Sequence, residues 1–78
     1  MLRVPVMNRV AGTITVVQEE RFQLACDDGV ERLFILSHDA PLEAEELSRL
    51  KGEGVHVEVL YDDRSNLIAH TAHGVRVQ

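Results

Sequence analysis

Arg21-Phe22-Gln23-Leu24-Ala25-Cys26-Asp27-Asp28-Gly29-Val30-Glu31-Arg32-Leu33-Phe34-Ile35-Leu36 is the stretch on which the fold turns. Two apolar-alternating runs flank Asp28-Gly29. That dipeptide is the strongest turn signal in the chain, because a two-residue type I′ hairpin needs positive φ at both central residues. With those two as the loop, Asp27 faces Val30, Leu24 opposes Leu33, and Phe22 opposes Ile35. All four apolar residues then share one face, and a slip of one residue would move them all to the other. Arg21, Gln23, Arg32 and Phe34 are expected to point outward.

Upstream, the run Arg9–Gln18 reads as a strand with Val10, Ile14 and Val16 on one face. Gly12 falls on that face, as a bulge or bend of a small barrel requires or as a crowded contact tolerates. A two-residue loop at Glu19-Glu20 would set Thr13 and Thr15 opposite Cys26 and Leu24. A three-residue loop, Glu19 to Arg21, sets Val16 opposite Leu24, buries more, and is the expected turn.

Downstream, Pro41 suits a first helical turn, and Glu43, Glu45 and Glu46 complement a helix N-terminus. Ala44, Leu47 and Leu50 form one apolar stripe, and Lys51-Gly52 supplies the stop. Val55–Tyr61 alternates as a fourth strand, with Val55, Val57, Val59 and Tyr61 on one side. Asp62–Asn66 reads as a polar loop. Leu67–Val77 reads as a fifth strand, interrupted near Gly74.

The order is β-β-β-α-β-β in 78 residues. It resembles the oligonucleotide/oligosaccharide-binding (OB) barrel over residues 9–77. The resemblance is one of pattern, with no signature motif. Small SH3-like barrels are the main rival and usually lack the helix between strands 3 and 4. The expected organisation is an N-terminal lead-in, residues 1–8, followed by one mainly β, five-stranded OB-like barrel, residues 9–78. Fold does not fix function, since OB barrels serve nucleic acids, sugars, metals and proteins.

Composition narrows the partners. The net charge is −5. General nucleic-acid binders usually carry a basic surplus, so nucleic acid is disfavoured as a ligand. A single cysteine, Cys26, excludes an intramolecular disulfide framework. The acidic neighbours Asp27, Asp28 and Glu31 are expected to hold its thiol neutral. No signal-peptide core and no membrane-length apolar run is present, so a cytoplasmic, non-membrane location is expected.

Four constellations bear on chemistry. The outer face of the second and third strands offers Arg21, Gln23, Arg32 and Phe34. OB proteins place nucleic-acid ligands on that face, where an aromatic stacks a base and arginines meet phosphate. The last hairpin, with Tyr61 opposite Leu67, would set Glu58 opposite His70 and His56 opposite Ala72. His56, Glu58 and His70 would then cluster as a zinc or pH-sensing group. Ser37, His38 and Asp39 invite a triad reading, but adjacent residues rarely converge, and helix capping by Ser37 or Asp39 explains them better. Finally, Phe34, Leu36, Leu60 and Ile68 would leave outward apolar surface.

No phosphate loop, nucleophile–base pair or carboxylate pair of known geometry appears. The expectation is therefore a small non-catalytic binding or interaction module with no cofactor. It would pair with itself or join a larger complex as an accessory subunit. Single-stranded nucleic-acid binding on the strand 2–3 face and a metal- or pH-responsive His/Glu group are the alternatives.

Overall fold

Five strands and one helix follow each other in the expected order: β1 (Met7–Gln18), β2 (Arg21–Cys26), β3 (Glu31–Leu36), α1 (Ala44–Glu53), β4 (His56–Asn66) and β5 (Ala69–Val77). The computed structural model describes residues 7–66 and 69–78, and side chains for 7–62 and 69–78. The strands form one sheet in the order β1-β2-β3-β5-β4. β4 pairs back onto β1, so the sheet closes into a ring. Every neighbouring pair is antiparallel except β3 with β5.

The β2–β3 hairpin forms, but one residue out of the expected register. Phe22 opposes Phe34, Gln23 opposes Leu33, and Leu24 opposes Arg32. The cause lies in the turn. Only Gly29 has positive φ, at 88°, while Asp28 does not. A type I′ turn therefore does not form. The Gly29 N–H donates to the Cys26 carbonyl at 2.9 Å and the Cys26 N–H to the Val30 carbonyl at 3.0 Å. Asp27, Asp28 and Gly29 thus make a three-residue loop with glycine at its left-handed position. Asp28 Oδ1 accepts from the Val30 N–H at 2.9 Å, as loop aspartates commonly do.

The slip reverses the assignment of faces in β3. Phe34 is 0% exposed and Leu36 is buried. Leu33 and Ile35 take the half-exposed outer positions. Phe34 is therefore a core residue and not an outward one. Its ring stacks on Phe22 with centroids 5.3 Å apart and meets Tyr61 edge-on at 5.4 Å.

The β1–β2 connection also differs from expectation. Gln18 pairs with Arg21, so the loop is the two-residue Glu19-Glu20, with Glu19 at φ 56°. A bulge at Thr15 then shifts the register, and Ile14, not Val16, meets Leu24. Because a bulge adds one residue to one strand, it exchanges the faces beyond it. Ile14 is buried, Val16 is 45% exposed, and Val17 packs on the core. Gly12 is a crowded contact: a Cβ there would collide with the Ala25 carbonyl oxygen.

α1 begins three residues after Pro41, and Glu43 takes the cap position with no side-chain bond to the helix. Neither Ser37 nor Asp39 caps it. The helix ends at Gly54, φ 64°, whose N–H meets the Leu50 and Lys51 carbonyls, and not at Gly52. Leu47 and Leu50 are buried and join the core cluster with Ile14, Phe22, Leu24, Phe34, Val57 and Val59. Leu47 and Leu50 recur three residues apart, so both fall on the side of the helix that the ring covers.

The last hairpin is longer than expected. β4 runs through Asp62–Asn66, the segment expected as a loop. Leu67, the expected partner of Tyr61, and Ile68 lie outside the described residues. Tyr61 pairs with Ala72. Two irregularities break this ladder. Leu60 opposes Gly74 while Tyr61 opposes Ala72, which leaves His73 as an extra residue on β5. The next shift falls between Tyr61 and Ser65 and contains Asp62.

Candidate functional site

Two outer surfaces of the ring carry the side chains of interest, and the strand registers define both. On β1–β2–β3, Val16 opposes Gln23, which opposes Leu33. The next row is Gln18, Arg21 and Ile35, with Thr71 of β5 beyond Ile35. Arg21 and Gln23 thus occupy the surface expected of them. Val16, Leu33 and Ile35 stand there in place of Arg32 and Phe34.

Arg32 lies on the inner side, across from Leu24. Its Nη2 donates to Asp28 Oδ2 at 3.1 Å. Its Nε is buried with no hydrogen-bond partner among the described residues. Arg32 also approaches Cys26. Burial pushes the Cys26 thiol above its ordinary pKa, and the Arg32 hydrogen bond opposes this; Asp28 and Asp27 add only smaller upward contributions. The thiol donates to the Leu24 carbonyl at 3.7 Å. Burial, more than the acidic neighbours, keeps Cys26 protonated.

The second surface lies on β1–β4–β5. Arg9 opposes Leu60, which opposes Gly74; the next row is Ala11, Glu58 and Arg76. Glu58 Oε1 accepts from Arg76 Nη2 at 2.8 Å and from Nε at 3.0 Å. His56 instead reaches Asp27, with Nε2 to Oδ2 at 2.8 Å. His70 opposes Ser65 and sits beside Tyr61, with ring centroids 5.1 Å apart. The expected His56–Glu58–His70 cluster is therefore not assembled, because the hairpin register differs from the one it needed. Among the described residues no group of three or more His, Cys, Asp and Glu side chains is placed to hold a metal.

His73 is the titratable hub that sequence reasoning missed. Its Nε2 lies 2.9 Å from Asp62 Oδ2 and its Nδ1 lies 3.2 Å from Asp39 Oδ1. Asp62 is 3% exposed, whereas Asp39 is open to solvent. Asp39 also accepts a hydrogen bond from the Ser37 hydroxyl. The Asp62 hydrogen bond raises the His73 pKa above its ordinary value; burial opposes the rise and Asp39 assists it. The Ser37 hydroxyl, then His73, hold the Asp39 carboxyl below its ordinary range.

Ser37 and Asp39 therefore belong to one hydrogen-bonded group, joined through His73 and not through His38. His38 is almost fully exposed, 3.8 Å from Glu20. The one available sequence signal was the expected break near Gly74. The bulge falls one residue earlier and turns His73 toward both carboxylates, as bulges commonly re-aim a side chain.

No protein-family model matches the sequence, and no curated protein does. Among the described residues no helix is long and apolar enough to cross a membrane.

Proposed function

We propose that this protein is a small non-catalytic interaction module on an OB-like barrel. It docks a protein partner, in the first instance a second copy of itself, through the outer face of β1–β2–β3. The observation that carries the reading is the pair of rows Val16–Gln23–Leu33 and Gln18–Arg21–Ile35. Three apolar side chains stand among neutral or single-charge polar ones there, the composition of a contact patch. The ring gives each strand two neighbours, although the β3–β5 ladder covers only Phe34–Leu36 and the β1–β4 ladder only Met7–Thr13. The face is the favoured docking surface because the apolar side chains stand on it. The acidic balance and the buried Cys26 thiol support a reduced, cytoplasmic setting.

The nucleic-acid alternative on this face loses its aromatic platform, because Phe34 is in the core. Arg21 and Gln23 are the polar groups it retains.

Sedimentation of the wild type and of Leu33→Asp tests the proposal. The expected result is concentration-dependent self-association of the wild type, with Leu33→Asp monomeric and its circular dichroism unchanged. A wild type that stays monomeric at every practical concentration removes self-pairing. Oligonucleotide binding that falls steeply with salt would favour the alternative.

A further inference from the structure

On the opposite surface, Gly74 stands beside Leu60 in the row Arg9–Leu60–Gly74. With no side chain there, a hollow of about 280 Å³ opens over the strands. Leu60 and Pro41 line it with apolar surface, the strand at Gly74 and Val75 forms its floor, and Arg9, Arg76 and Glu58 stand around it. Its size lies just below the usual range of ligand pockets, roughly 300 to 1,000 Å³. It suits a small molecule and not a peptide.

The charges around it are unequally committed. Arg76 is held on Glu58. Both ring nitrogens of His73 are engaged by Asp62 and Asp39, so the imidazole is a wall of the hollow and not a free donor. Arg9 has no ion-pair partner among the described residues. A guanidinium pairs two parallel N–H donors with a planar carboxylate, and apolar walls favour a ligand with a hydrocarbon body.

We infer that the hollow over Gly74 binds a small organic monocarboxylate. Arg9 takes the carboxylate, with Arg76 beside it, and Leu60 and Pro41 take the apolar body. This site is on the other side of the ring from the proposed docking face and stands independently of it.

The glycine makes the test clean. A Cβ at Gly74 would meet nothing closer than Leu60 Cβ at 3.9 Å, ordinary contact, and its φ is outside the left-handed region. Gly74→Leu therefore fills the hollow without altering a charge. Benzoate and hexanoate are titrated into the ¹⁵N-labelled protein, with benzylamine and inorganic phosphate as comparison probes. The expected result is saturable amide shifts at Leu60, Gly74 and Val75, with a dissociation constant on the order of 1 mM. Arg9→Gln should weaken benzoate about tenfold, as loss of a charge-assisted hydrogen bond implies, and Gly74→Leu should abolish the shifts.

Absence of saturable shifts with both acids overturns the inference. So does benzylamine binding as well as benzoate, or phosphate binding as well as benzoate. Unchanged affinity in Arg9→Gln overturns it even if Gly74→Leu does not fold.

Discussion

The β2–β3 hairpin and the β4–β5 hairpin face the same core but present their outer residues differently. β2–β3 keeps one register from Arg21↔Ile35 to Ala25↔Glu31. Its outer face is therefore set by strict alternation, and its core face receives Phe22, Leu24, Phe34 and Leu36 without interruption. β4–β5 shifts register twice. There the alternation fails, and His73 reaches two carboxylates, one from β4 and one from the connection before α1. A regular ladder displays what its sequence alternates. A bulged ladder brings together residues whose spacing gives no warning of it.

The largest expected effect tests the regular hairpin. Phe34→Ala removes a fully buried ring packed between Phe22 and Tyr61 and should cost about 3–5 kcal/mol. Leu33→Ala, its neighbour on the outer face, should cost about 1 kcal/mol or less. Urea denaturation of both variants decides. A reversed order, with Leu33→Ala the costlier, would mean that the hairpin takes the type I′ register, in which Phe34 faces outward and Leu33 inward.

The bulged hairpin is tested through pH. The His73 pKa is raised above 6.5 in the folded protein. Its contribution to stability is thus fully present below about pH 6.5, its unfolded value, and is lost as pH rises through the folded pKa. Asp39 acts in the opposite sense. Its pKa is lowered from 3.8, so its contribution is present above that value and lost in acid. His73→Gln should remove the decline above pH 6.5 and cost on the order of 1 kcal/mol at pH 5.5, read as stability against pH for the two proteins. Parallel curves would show that the imidazole is not held between the carboxylates.

A smaller effect sharpens the comparison at the first turn. In a type I′ turn Asp28→Gly would be neutral or favourable. In the three-residue loop it deletes the bonds to Val30 N–H and Arg32 and frees the unfolded backbone. The expected result is a lower melting temperature and urea midpoint than wild type, measured by thermal or urea melts.

Much of the fold was legible beforehand because it rests on local information. Two-residue periodicity marks the strands, and the three-residue spacing of Leu47 and Leu50 marks the helix. Val57 and Val59 were placed inside correctly for the same reason. The β2–β3 register was not, because Asp28-Gly29 is compatible with two loop lengths and Leu33-Phe34-Ile35-Leu36 is apolar on both faces. Each choice puts one charged residue on the inner side near the mouth of the hairpin, Glu31 in the expected register and Arg32 in the observed one, so charge does not separate them. Packing decided: the larger ring of Phe34 fills the centre of the ring of strands beside Phe22 and Tyr61.

The candidate sites were legible only in part. Arg21 and Gln23 keep their outward positions, because they lie on the strand whose facing the slip did not change. Arg32 and Phe34 do not, because they lie on the strand that moved. The His56–Glu58–His70 group rested on one register and dissolved with it. The Asp39–His73–Asp62 group spans three segments and depends on a single extra residue in β5.

What the sequence alone determined is the inventory and order of elements, since hydrophobic period and turn chemistry act within a few residues. Tertiary structure alone decided the registers, the bulges and therefore which side chains share a surface. Closing a five-stranded ring forces each ladder to fit its two neighbours at once, a condition that no single hairpin contains.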